Sequence, residues 1–148
     1  MSTRIQRSAW VPHTAEQMFN LVNDVASYPE FLPHCRSARV LESNGDRVMA
    51  TIELAKGALH KSFTTVNHLE DPHRIEMRLV QGPFRHLHGA WTFIPEAEGG
   101  TRVALDLEFE FAGRLMALAI GPIFNHVANS LVDAFVKRAR DVHGDVHG

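Results

Sequence analysis

One segment constrains the fold more than any other. From Thr101 to Phe111, the residues Val103, Leu105, Leu107, Phe109 and Phe111 alternate with Arg102, Asp106, Glu108 and Glu110. Period two sends the apolar set to one face of a strand and the charged set to the other. Such a strand needs one wet face and one covered face, the pattern of an antiparallel sheet packed on one side. Five earlier segments repeat the pattern: 36–42, 47–55 (Val48, Ala50, Ile52 and Leu54 on one face), 59–69, 74–80 and 86–94. Turn chemistry separates them at Asn44-Gly45-Asp46, Gly57, Asp71-Pro72-His73, Gln81-Gly82-Pro83 and Glu98-Gly99-Gly100. Connections this short predict hairpins, hence a six-stranded meander. Residues 2–11 also alternate and supply a seventh strand.

The apolar face needs a cover. Thr14, with Gln17 three residues on, is a capping-box start for a helix over 15–24. Residues 27–33 contain two prolines, which confine them to a turn or one helical turn. The larger cover comes last: Phe124, Val127, Leu131 and Phe135 recur at helical spacing. Residues 113–120 add a helical turn or two ahead of Gly121-Pro122, where a long helix would kink. The expected architecture is α+β. A seven-stranded curved antiparallel sheet wraps a long C-terminal helix, with one or two short helices after the first strand. A curved sheet and a straight helix cannot touch everywhere, and the gap is a natural apolar pocket.

The 148 residues suit one domain over 1–140, and the repeated Asp-Val-His-Gly of 141–148 reads as a polar, frayed tail. Apolar residues make up 45% of the chain, enough for a core and too much for disorder. The single cysteine, Cys35, excludes an internal disulfide and a cysteine-based zinc cluster. The polar start is unlike a secretory signal. The most apolar run, 115–124, is short of the roughly 20 residues a membrane span needs. A cytoplasmic location is therefore expected, with peripheral membrane contact left open.

Several separated motifs resemble one family. They are Phe19-Asn-Leu-Val-Asn-Asp-Val-Ala-Ser-Tyr-Pro-Glu-Phe-Leu-Pro-His-Cys, Lys61-Ser-Phe-Thr-Thr, Gly82-Pro-Phe-Arg-His-Leu, Trp91-Thr-Phe-Ile-Pro, Phe109-Glu-Phe and Leu131-Val-Asp-Ala-Phe-Val-Lys-Arg-Ala. Together they resemble the START-like proteins of the coenzyme-Q-binding and ribosome-association-toxin group, over residues 3–139. The resemblance implies the helix-grip fold, shared with polyketide cyclases and lipid-transfer domains. It also implies two functions. One is binding of ubiquinone (coenzyme Q) in support of respiration. The other is binding to the large ribosomal subunit, which blocks subunit joining.

The pocket reading rests on Phe31, Phe63, Met77, Leu79, Phe84, Trp91, Phe93, Leu107, Phe109, Met116, Ile120 and Phe124. A quinone carbonyl also needs a donor, for which Trp91, Tyr28, Asn67 and Asn125 are the candidates. The alternative to a pocket is that these residues are simply core. The ribosome reading needs basic surface. Between residues 56 and 88 there are five Lys or Arg and five His against three acids, and Lys61, Arg74, Arg78 and Arg85 are expected on one outer face. Trp10 is the one aromatic suited to stacking on RNA. The chemistry of an enzyme is weakly represented. His86 and His88 would share a strand face but lack a third metal ligand in the sequence pattern. Ser62, Thr64 and Thr65 lack an evident base, and Glu108 and Glu110 face outward. Cys35 beside His34 reads as a buried structural thiol rather than a nucleophile. No catalytic residue, metal or required cofactor is expected, and the resemblance implies ubiquinone or a similar isoprenoid lipid as the bound ligand. Ten histidines, protonated together, would move the formal charge from −2 to +8. Free histidine titrates near pH 6.5, so anion or ribosome binding is expected to strengthen on mild acidification.

Overall fold

The computed structural model describes residues 2–144. In chain order they form β1 (Thr3–Val11), α1 (Ala15–Asn23), a 3₁₀ segment (Val25–Glu30), β2 (Cys35–Asn44), β3 (Arg47–Lys56), β4 (Leu59–Glu70), β5 (Arg74–Gln81), β6 (Phe84–Pro95), β7 (Thr101–Phe111) and α2 (Arg114–His143). The strands make one antiparallel sheet in the order β1-β7-β6-β5-β4-β3-β2. Thus β2–β7 are the expected meander, and β1 returns to pair with β7. This is the α+β helix-grip arrangement read from the sequence.

Strand β7 behaves as its alternation demands. Val103, Leu105, Leu107 and Phe109 are buried against the helices. Opposite them on the outer face, Asp106 pairs in register with Gln6 and Ala90, and Glu108 with Arg4 and His88. The sheet curves where its register shifts, between Cys35 and Ser37, Val40 and Glu42, Thr64 and Thr65, and Phe84 and His86. At Gly89 the backbones of β6 and β7 come so close that a Cβ would lie 2.4 Å from the Asp106 carbonyl oxygen.

Helix α1 starts on the expected capping box: Thr14 Oγ1 accepts from the Gln17 amide at 3.0 Å, and Gln17 Oε1 accepts from the Thr14 amide at 2.9 Å. Its Met18, Phe19 and Val22 are buried. Helix α2 crosses the concave face with Phe124, Val127, Ala128, Val132 and Phe135 inward. Helix α2 is the long helix expected, continuous through Gly121-Pro122, with Gly121 buried beside the Phe111 ring. It also extends to His143, so residues 141–143 are helical rather than frayed; residues 145–148 lie outside the described residues. By length and hydropathy (1.4) α2 could span a membrane, but its inward stripe makes it the core helix of this fold.

Candidate functional site

The gap between sheet and helix exists. It is an apolar cavity of about 80 Å³. From the expected set, Phe63, Met77, Trp91, Leu107 and Phe124 line it. The rest of its wall comes from Val25, Tyr28, Leu32, Ala50, Ile52, Leu54, Thr65, Asn67, Leu87, Val127, Ala128, Leu131 and Phe135. Many of these are small or γ-branched residues on inner strand rows, and period two alone marks them as core. Spacing carries no signal for which core residues border a void.

The other seven expected residues lie elsewhere. Phe93 is fully buried between Phe19 and Trp91. Phe31 stacks edge-on against Tyr28 and Phe135, with the Arg138 guanidinium 4.9 Å above its ring. Phe84 and Phe109 join Phe63, Phe111 and Phe124 in a ring cluster, with centroids of Phe84 and Phe109 each 4.8 Å from Phe124. This cluster closes one end of the cavity. Ile120 is buried one turn before it, Met116 lies further out on α2, and Leu79 is only partly buried near Gly82.

Polar groups at the cavity are few. Thr65 Oγ1 donates to Asn67 Oδ1 at 3.0 Å, and both residues are buried in the wall. Tyr28 is spent on structure: its hydroxyl donates to the Val22 carbonyl, and burial pushes its pKa up. Asn125 is on α2 but does not line the cavity, so it is not a donor to a ligand there. Among the described residues the wall holds no Asp, Glu, His, Lys or Arg. Tyr28 is the one titratable side chain in the wall, and its hydroxyl is already engaged by the Val22 carbonyl. Cys35 is buried, and desolvation raises its pKa to about 11, which keeps it a neutral thiol.

The expected basic face is corrected in two respects. Lys61 pairs in register with Leu54, on the inner row that carries Phe63, so it is not on the outer face. Arg74 and Arg78 are outer, but they serve acids. Arg74 binds Glu70 and Glu76 at 3.3 and 3.1 Å, and Arg78 binds Glu76 at 3.3 Å. Arg85 sits at the strand-end bulge, 3.2 Å from Glu110. Arg4 holds Asp106 through two hydrogen bonds of 3.0 and 2.8 Å. The guanidiniums keep the Asp106 and Glu76 carboxyls below the usual carboxylate range. The outer face is therefore a mixed-charge lattice. Histidines continue it: His60 lies 3.8 Å from Glu53 and His86 3.8 Å from Glu108. Trp10 is 50% exposed as the reading requires, and its indole N–H donates to the Gly99 carbonyl of the β6–β7 turn at 3.1 Å.

Comparison with known proteins fits this geometry. Residues 11–136 match the family model described as polyketide cyclase/dehydrase and lipid transport. The chain belongs to that family. It is 47% identical to the ribosome association toxin RatA of Pseudomonas aeruginosa over 144 residues, covering 97% of this chain and all (100%) of that one. The Escherichia coli protein of the same name is 44% identical, covering 95% of this chain and 89% of its own. A mitochondrial coenzyme Q-binding protein, COQ10 homolog B of Xenopus laevis, is more distant at 28%, covering 87% of this chain and 54% of its own. Among solved structures, an 18 kDa Caulobacter crescentus protein superposes with a TM-score of 0.72 at 30% identity, covering 97% and 99% of the two chains. A START superfamily protein of Mycobacterium smegmatis (TM-score 0.70, 19% identity, covering 94% and 98%) shares the fold. So does a Streptomyces aromatase/cyclase (0.78, 18%, covering 96% and 96%).

Proposed function

We propose that this protein associates with ribosomes, through the large subunit, and acts by binding rather than by catalysis. The observation that carries this reading is the 44–47% identity, over nearly the whole chain, to proteins named ribosome association toxins. The cavity wall supports the second half, because among its described residues the titratable group is Tyr28, whose hydroxyl is bound to the Val22 carbonyl. Sedimentation through sucrose gradients with purified ribosomal subunits tests it. The protein is expected to travel with the large subunit at low salt and to leave it as salt rises. Protein that stays at the top of the gradient at every salt concentration overturns the proposal.

A second reading is binding of a hydrophobic molecule such as ubiquinone in the cavity. The apolar wall and the buried Thr65–Asn67 pair support it. Size opposes a preformed site: about 80 Å³ is well under the roughly 300–1,000 Å³ of ligand pockets. A quinone head group would fit only if the wall moved apart to enlarge the cavity. Solvent extraction of purified protein followed by mass spectrometry should then yield an isoprenoid lipid. Empty extracts, with no quinone binding on titration, remove this reading.

A further inference from the structure

The two edges of the sheet carry opposite charge. One edge holds the β2–β3, β4–β5 and β6–β7 turns. There Glu42, Asp46, Glu70, Asp71, Glu96 and Glu98 outnumber Arg47, Arg74 and Arg102. Arg74 and Arg102 are moreover bound to Glu70 and Glu96 of the same edge. The other edge holds the start of β2, the β3–β4 and β5–β6 turns and the β7–α2 junction. There Arg36, Lys56, Lys61, Arg85 and Arg114 face only Glu53 and Glu110. Both of those acids are occupied. Glu53 is 3.9 Å from Arg36 and 3.8 Å from His60, and Glu110 is 3.2 Å from Arg85. Among the described residues, Lys56, Lys61 and Arg114 have no carboxylate within ion-pair distance. Lys56 and Arg114 are exposed, and Lys61 is half-buried.

The same edge displays apolar surface. Leu115 and Leu118, on the first turns of α2, are 83% and 70% exposed. Adjacent exposed leucines beside uncommitted cations mark an interaction surface better than either does alone. The outer sheet face also exposes Trp10, Val80 and Ile94, but most of its arginines would have to release Glu70, Glu76, Glu96 or Asp106 before taking a phosphate.

We infer that this cationic edge, with Lys56, Lys61 and Arg114 on the phosphate backbone of ribosomal RNA and Leu118 packed beside it, is the surface that docks the ribosome. The inference rests on the ribosome-association reading and replaces the outer sheet face as its contact. Each neutralised phosphate contributes about −0.7 to −0.9 to the slope of log affinity against log salt. Three contacts near the upper figure predict a loss of about 40-fold in affinity between 50 and 200 mM salt.

The test is quantitative co-sedimentation of the full chain with purified large ribosomal subunits across that salt range. Variants are K56Q/K61Q/R114Q, L118S and, as a control, R74Q/R78Q, each checked for folding by circular dichroism and thermal melting. The triple variant should bind more weakly, with a slope shallower by about 2 to 2.7. L118S should lose affinity with the slope unchanged, and R74Q/R78Q should match wild type. Wild-type protein that never sediments with subunits removes the ribosome reading itself. Wild-type binding that the triple variant reproduces with the same slope overturns only the assignment of the edge. Vesicles containing phosphatidylglycerol provide a further arm. If they retain the wild type and large subunits do not compete it off, the edge belongs to a membrane surface and the assignment fails.

Discussion

Phe124→Ala is the sharpest test of how the cavity is closed. The ring is 4% exposed and lies at the centre of the phenylalanine cluster. Its centroid is 4.8 Å from Phe84 and Phe109, 5.8 Å from Phe63 and 5.9 Å from Phe111, all edge-on. Withdrawing a buried phenylalanine from contact loses about 1.5–3 kcal/mol of transfer free energy. The void left behind raises the total for Phe→Ala to about 3–5 kcal/mol. Four ring partners from three strands place the expected cost at about 4 kcal/mol. That is a large part of the roughly 5–15 kcal/mol that holds a domain together. Urea titration reads it directly. With a slope of about 2 kcal/mol/M, the midpoint should fall by about 2 M with the slope preserved. The new void also joins the existing cavity of about 80 Å³, so benzene should raise the melting temperature of the variant and leave wild type unchanged. A midpoint shift below about 0.5 M at constant slope would refute the claim that this ring is a packed plug.

Two further outcomes follow from the sheet. Gly89→Ala places a Cβ 2.4 Å from the Asp106 carbonyl oxygen, where no side chain can swing away. It should cost about 2 kcal/mol or more, and an unchanged thermal midpoint would contradict the close β6–β7 approach. The second concerns acid. Asp106, held chiefly by its hydrogen bonds from Arg4, and Glu76, held chiefly by Arg74, have folded pKa values below their unfolded ones. Their contribution is complete above the unfolded carboxylate range of about pH 4 and is lost as pH falls through the folded values. Arg4→Gln should therefore flatten the acid limb of the stability curve, by a small amount because the pair is solvent-screened, and an acid limb identical to wild type would count against it.

The fold was legible because its signal is local. Alternation in β7 fixed which face is buried, and the turn residues fixed the hairpins, so six strands and their order followed from counting by twos. The capping box at Thr14 marked the start of α1 in the same way. The site was less legible because a cavity is a property of the packed whole. Trp91 and Phe93 occupy equivalent alternate positions on β6, yet one lines the void and the other fills the core against Phe19. Lys61 shows the related difficulty for charge. Its parity with Leu59, Phe63, Thr65 and Asn67 places it on the inner row, so grouping it with Arg74 by composition misplaced it. The reach of α2 through Pro122 was legible because apolar residues keep helical spacing on both sides of it. A proline costs a helix one donor, and burial of Ile120, Ile123 and Phe124 around it outweighs that loss.

Sheet geometry itself explains why the cations on the central strands are committed to acids. Inside a sheet, each outward side chain has neighbours about 5 Å away on the flanking strands. A cation there is stable when those neighbours include an acid, as Arg74 has Glu76 and Arg4 has Asp106. The arrangement that lets Arg74, Arg78 and Arg4 exist on the outer face thus uses up their charge. A strand end has fewer flanking positions, and a connector has none. Lys56 and Arg114 stand at such places, on the β3–β4 turn and at the start of α2, where no cross-strand acid is required to hold them. The count of basic residues between 56 and 88 therefore mixes committed cations such as Arg74 and Arg78 with uncommitted ones such as Lys56. What matters for binding an anion is which cations the fold leaves unspent.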